Sequence, residues 1–303
     1  MSEPIFECIP NFSEGRRAEV LDALIRAAEG PSVKVLGIHA DPDHNRSVLT
    51  IAGPGDALFE AVFRTMRVAV DKIDLRQHEG AHPRIGAVDV VPWVALDNQS
   101  WDAAVGWATK LGERTADELK LPVFFYEMAA RRPDRRNLAD VRRSQFEGLE
   151  TRLAHDPPDL GPVSPHPSAG AVAIGARRPL IAFNVILGTD DAGVARQIAR
   201  AVRGASGGLA GVKALGFRLI SKGRVQVSMN LVNYRTTPLP RALELVRMEA
   251  ARHGVAVVGT ELVGFMPMDA VEDVMRYYLQ QPDFDRGRIL EVALDQNRRD
   301  PDE

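Results

Sequence analysis

The hydrophobic positions of the chain change period in a fixed order, and that order occurs twice. Residues 5–10 form a short apolar run bounded by turn formers, the mark of a buried strand. Val20, Leu21, Leu24 and Ile25 then fall at helical spacing and predict a helix over 16–28, stopped by Gly30 and Pro31. Strand-like runs at 33–39 and 47–52 flank the turn-rich Asp41-Pro42-Asp43-His44-Asn45. A long amphipathic helix follows at 56–73, then a loop, a strand at 85–94, a helix at 101–119 and a short closing strand at 123–126.

The second half gives the same sequence of periods: a strand at 179–187 and a helix at 190–203 with an Asp-rich start. A hairpin of 212–220 with 224–232 across Ser221-Lys222-Gly223 comes next, then a helix at 238–253, a strand at 255–261 and a last helix at 268–279. From Arg286 onward the chain reads as a polar, fraying tail. Each half is β-α-β-β-α-β, which predicts an α+β protein of two ferredoxin-like subdomains, 1–178 and 179–303. The two halves do not match residue by residue, so only the topology repeats. Between them, 154–178 is rich in proline and glycine and reads as an ordered linker and the domain boundary.

Composition narrows the partners. Of 303 residues, 45% are apolar and 26% charged, ordinary for a globular chain. A net charge of −3 argues against a general nucleic-acid binder while leaving room for a local basic cleft. The single cysteine, Cys8, rules out an internal disulfide and fits a reducing compartment. No run is long enough to span a bilayer, and the N-terminus lacks the features of a signal peptide, so a cytoplasmic protein without membrane contact is expected.

The densest chemistry lies in the loop before the fourth strand. His78-Glu79-Gly80-Ala81-His82 matches the H-E-x-x-H zinc signature, but that site needs both histidines on one helical face. Gly80 inside the motif and Pro83 after it oppose a helix, so no metal is expected and His82 is left as a general base at the mouth of a sheet. The Asp41–Arg46 turn supplies carboxylates, His44, Asn45 and Arg46, and Asp41 is the candidate to orient His82 and stabilise its protonated form. Asn11, Ser13 and Glu14 precede the first helix, where Ser13 or Asn11 caps it or its exposed amides hold an anion. The arginine run at 131–136, with Arg142 and Arg143, is a solvated face or a grip for an acidic tail.

These blocks resemble the glutamate formimidoyltransferase family. The carrying residues are Glu7-Cys8-Ile9-Pro10-Asn11-Phe12-Ser13-Glu14-Gly15, Asn45-Arg46-Ser47-Val48 and Gly80-Ala81-His82-Pro83-Arg84-Ile85-Gly86-Ala87-Val88-Asp89-Val90-Val91-Pro92. Phe146-Glu147-Gly148-Leu149, Pro158-Asp159-Leu160-Gly161-Pro162 and Gly175-Ala176-Arg177 with Leu180-Ile181-Ala182-Phe183-Asn184 continue it in order. The resemblance implies transfer of a formimidoyl group from N-formimidoyl-L-glutamate to N5 of tetrahydrofolate in histidine breakdown. It also implies a homodimer, a substrate tunnel between two α/β subdomains, and tetrahydrofolate as co-substrate without a metal. The family's catalytic histidine corresponds to His82 and its folate-contacting stretch to 163–172, which adds Ser164, Pro165, Ser168, Gly170 and Ala171 to Asn11, Ser13, Glu14, His44, Asn45, Arg46 and Arg84 as candidate substrate-binding residues.

The chain departs from the family pattern at His39, where an aspartate is common, at Ser144-Gln145-Phe146 and at Tyr126-Glu127-Met128. Those changes keep an ATP-dependent 5-formyltetrahydrofolate cyclo-ligase and a non-catalytic folate-binding protein open as alternatives. A fused cyclodeaminase is not expected.

Overall fold

In the computed structural model, which describes residues 3–80, 82–96 and 100–299, the chain divides into the compact units Met1–Pro179 and Leu180–Glu303. Ala81, inside the His78–His82 motif, and Met1-Ser2 of the N-terminus lie outside the described residues.

The first unit opens with β1 (Ile5–Cys8) and β2 (Asn11–Phe12), one strand interrupted at Ile9-Pro10 because proline offers no ladder donor. There follow α1 (Ala18–Ala28), β3 (Lys34–Asp41), β4 (Arg46–Pro54), α2 (Gly55–Lys72), β5 (Val88–Ala95), α3 (Trp101–Glu118), β6 (Val123–Glu127), the short helices α4 (Leu138–Val141) and α5 (Leu149–Leu153), and β7 (Val172–Ala176). The sheet is mixed. β3, β4, β1/β2 and β5 pair antiparallel, whereas β7 runs parallel to β5 and to β6, lying between them.

β5 and β7 are buried at every residue, as expected for parallel strands covered on both faces. One face packs Phe12, Leu24, Leu58, Phe63, Met66, Trp93 and Leu111 against α1–α3. On the other, Ile85, Val90, Phe124, Tyr126 and Ala173 meet Val141, Leu149 and Leu153 of α4 and α5.

This corrects the linker expected over 154–178. Its last part, Val-Ala-Ile-Gly-Ala, is an inner strand, and the boundary between units lies after Pro179. The prolines upstream hide a five-residue apolar run too short to show a period.

The second unit consists of β8 (Ile181–Leu187), α6 (Ala192–Val202), β9 (Val212–Leu219), β10 (Arg224–Leu231), α7 (Leu239–Arg252), β11 (Val257–Val263), α8 (Met268–Tyr278) and α9 (Leu290–Arg299). Its sheet, β11-β8-β10-β9, is antiparallel throughout and includes the expected hairpin. Ile181, Phe183, Val185 and Leu187 alternate inward with Val225, Val227, Met229 and Leu231, packing on Ile198, Val202, Ala242 and Val246. Asp191 starts α6 by accepting the Gly193 amide at 2.7 Å. The described part of the tail expected to fray is a turn at 286–288, capped by Asp285 at 3.1 Å, followed by α9; residues 300–303 lie outside the described residues. No helix among the described residues is long and apolar enough to cross a membrane.

Candidate active site

The connection 73–87 between α2 and β5 carries both histidines of the motif. It stays out of the regular sheet because its backbone is bonded to two other loops. The Ser13 amide donates to Ala87 O at 2.9 Å and the Ser13 hydroxyl to Gly86 O at 2.7 Å. From the other side, Ala171 N donates to Ile85 O at 2.9 Å, Ala87 N to Ala169 O at 3.0 Å and Leu75 N to Ser168 O at 2.8 Å. Gly86 allows this approach: a Cβ there would lie 1.9 Å from Ala171 O. Gly170 closes a backbone pair with His166, while Ser164 is exposed and Pro165 half-buried where the stretch begins. The folate-contacting stretch expected at 163–172 therefore braces the histidine loop.

Within that frame the His82 tautomer is defined. Its Nδ1 lies 2.8 Å from Pro83 O, and a carbonyl only accepts, so Nδ1 carries the proton and Nε2 the lone pair. His78 donates from Nε2 to Asn45 O at 2.9 Å and accepts at Nδ1 from Arg84 Nε at 2.9 Å. With both nitrogens of His78 engaged and no helix among the described residues of 75–87, the two histidines lack the shared face that a zinc pair needs.

Asp89, fully buried in β5, acts electrostatically on His82. One carboxylate oxygen accepts the Ile85 amide at 2.8 Å; the other accepts Arg46 Nη1 at 2.7 Å and Arg142 Nη1 at 2.9 Å. Burial alone would raise this carboxyl, but Arg142, Arg46 and the Ile85 amide outweigh it and hold the pKa at about 2 against an ordinary 3.8. His82 responds the opposite way. Burial first, then Arg46 and Arg142, push its pKa well below the ordinary 6.5 despite Asp89. The ring is thus held neutral at pH 7.

Asp41, expected to orient His82, is taken up by its own turn and by His44. Its carboxylate accepts the amides of Asp43 at 2.8 Å and His44 at 2.9 Å, and pairs with His44 Nδ1 at 2.6 Å. The aspartate bonds its own turn, as short polar side chains do, and these contacts overcome burial to bring its pKa to about 2. His44 in turn presents its ring edge-on to His82, centroids 6.0 Å apart and planes at 76°.

The remaining candidates act mostly on one another. Asn45 accepts the Gly15 amide at 2.9 Å and donates to Glu79 O at 3.0 Å, tying three loops. Asn11 accepts Arg46 Nη2 at 2.9 Å. The first helix is not capped by Ser13 or Asn11: α1 begins at Ala18 without a side-chain cap, and just before it Glu14 accepts the amides of Arg16 and Arg17 at 2.8 and 2.9 Å. Arg84, expected to hold substrate, is buried and braced by Glu147 at 2.8 and 3.2 Å and by His78.

Three residues of this cluster escape sequence reasoning: Asp89, Arg142 and Glu147. Asp89 does leave a signal, since a lone acid in the apolar run 85–91 must find partners when buried. Arg142 is hidden in the arginine run. That run is not a solvated face throughout: Arg135 is 2% exposed and pins the linker through Asp156 at 2.5 Å, Asp159 at 2.9 Å and Pro157 O at 2.6 Å. Among the described residues, no group of three or more His, Cys, Asp or Glu is arranged to hold a metal.

Comparison with known proteins places the chain as a whole. Residues 5–177 match the family model of the formiminotransferase domain, N-terminal subdomain, and residues 182–291 that of the formiminotransferase domain. The chain is 44% identical to a glutamate formimidoyltransferase of Streptococcus pyogenes serotype M1 over 96% of its own length and 98% of the relative's. It is 45% identical to a glutamate formimidoyltransferase of Thermoplasma acidophilum, covering 96% and 97% of the two chains. With the formimidoyltransferase-cyclodeaminase of Rattus norvegicus it shares 39% identity over 90% of its length, spanning 52% of that protein. The chain belongs to the formiminotransferase family.

Proposed function

We propose that this protein is a glutamate formimidoyltransferase, moving the formimidoyl group of N-formimidoyl-L-glutamate to N5 of tetrahydrofolate and releasing L-glutamate. Full-length likeness to two glutamate formimidoyltransferases supports the reaction. The observation that carries the mechanism is the His82 tautomer, with Nδ1 anchored on Pro83 O and the lone pair on Nε2. Tetrahydrofolate N5 attacks the formimidoyl carbon, and His82 Nε2 takes the N5 proton as the tetrahedral intermediate forms. The imidazolium then gives that proton to the glutamate nitrogen, the C–N bond to glutamate breaks, and His82 returns to its starting state. A base of low pKa becomes a strong acid once protonated, so the same environment that keeps His82 neutral drives the return step.

Both strand orders, β5-β1-β4-β3 and β11-β8-β10-β9, support reading each half as a ferredoxin-like unit. A cytoplasmic homodimer belongs to the same reading. The test is product identity. Incubation with N-formimidoyl-L-glutamate and tetrahydrofolate, without ATP, should yield glutamate and 5-formimidoyltetrahydrofolate in equal amounts. ATP-dependent consumption of 5-formyltetrahydrofolate in its place would contradict the proposal.

A further inference from the structure

We propose that Arg142 is a positioning residue for the proton transfer at His82, acting through the Pro83 carbonyl and the Asp89 carboxylate. The inference rests on His82 being the base. Arg142 follows α4, far in sequence from the histidine loop, yet its Nη1 reaches two atoms next to His82. It lies 2.9 Å from Asp89 Oδ2 and 3.4 Å from Pro83 O, the carbonyl that also accepts His82 Nδ1. A second anchor comes from the same segment, where Glu147 grips Arg84 through both guanidinium ends at 2.8 and 3.2 Å. Residues 83 and 84, immediately after His82, are therefore held from one short stretch, 142–147, by Arg142 and Glu147.

The charge balance gives this bracing a chemical consequence. His82 faces Arg46 on β4, Asp89 on β5, Arg142 after α4 and the ring of His44 in the β3–β4 turn; His78 and Arg84 share its own connection. Two guanidiniums converge on the one carboxylate of Asp89, leaving a surplus positive charge beside the imidazole. That surplus disfavours the imidazolium. A guanidinium on Pro83 O also weakens that carbonyl as a partner for a second cation, while leaving it able to accept from a neutral Nδ1–H. Arg142 thus keeps His82 neutral and its lone pair on Nε2.

The test compares wild type with Arg142→Gln and Arg142→Lys, using the pH profile of kcat/KM for glutamate release and ¹⁵N NMR of the His82 ring. Arg142→Gln removes the surplus charge, so the acid limb and the His82 titration should both move to higher pH by about one unit. Arg142→Lys keeps the charge; its acid limb should stay near the wild-type position even where kcat falls. A purely structural role would lower activity in both variants without moving either titration, and that result would overturn the inference. If Arg142→Gln does not fold, the lysine variant and the wild-type spectrum decide: a wild-type His82 protonated on Nε2 would equally overturn it. Absence of glutamate release by the wild-type enzyme would count against the proposed reaction, whereas the ring spectra report on Arg142 independently of turnover.

Discussion

The two units share an order of elements and differ in what joins them. In the second unit the helix before the last strand of the repeat, α7, reaches β11 through residues 253–256 alone. In the first, α2 reaches β5 through 73–87, and that longer connection holds His78, His82 and Arg84. The turns at 42–45 and 220–223 are equal in length but not in chemistry, one bearing Asp43, His44 and Asn45 and the other Ser221-Lys222-Gly223. The difference teaches that the framework supplies stability in both units, while reactivity enters where one connection has been lengthened and wired to its neighbours. Buried charge does not follow that division: Asp89 is fully buried under Arg46 and Arg142 in the first unit, and Glu272 of the second is buried against Arg276 and Arg286. Arg218 and Asp190 of the second unit, by contrast, form a 3.8 Å pair with both partners mostly exposed.

Substitutions can break this comparison, beginning with the largest expected effect. Asp89→Ala leaves the largely buried guanidiniums of Arg46 and Arg142 without their counter-charge and should cost about 3–5 kcal/mol in denaturant melts. Arg218→Ala in the second unit should cost less than about 0.5 kcal/mol; equal losses would mean that Asp89 is not a buried keystone.

The glycines of the two connections form the next pair. Gly86→Ala drives a Cβ into Ala171 O, and should cost about 1–3 kcal/mol and most of the activity as the histidine loop shifts. Gly254 has φ +66° and open space where a Cβ would project, so Gly254→Ala should cost about 1 kcal/mol of backbone strain with kcat unchanged.

The pH dependence sharpens the contrast. His82 and His78 have folded pKa values below the ordinary 6.5, so the unfolded chain takes up protons first and stability should fall as pH drops below about 6.5. Asp89 and Asp41, lowered to about 2 from 3.8, add a further loss as pH falls through that interval. Melts at pH 7, 5 and 3 with hydrogen exchange should show the first unit opening first; first-unit amides that stay as protected as those of the second at pH 5 would contradict it. The smallest effect is expected at exposed His253, where alanine should change stability by less than about 0.5 kcal/mol and leave activity intact.

Much of this is legible in the sequence because period and turn chemistry are local. The α2 and α3 helices, the β9–β10 hairpin and the loop character of His82 follow from spacing, glycine and proline alone. What is not legible depends on contacts distant in sequence. β7 is a strand only because β5 and β6 flank it, and a five-residue apolar run after a proline-rich stretch does not declare that. Arg142 resembles its neighbours in the arginine run until Asp89 and Pro83 are brought to it. Density of charge points from Asp41 to His82, but a turn aspartate satisfies its own backbone first, and His44 completes the set.

The most direct test of the account is His82→Ala, measured for the single-turnover rate of formimidoyl transfer and, in parallel, for tetrahydrofolate affinity. Loss of a positioned acid–base group predicts a rate lower by about 10²–10⁴ with the folate Kd nearly unchanged. Equal loss of rate and affinity would make His82 a binding residue and contradict the mechanism built on its Nε2.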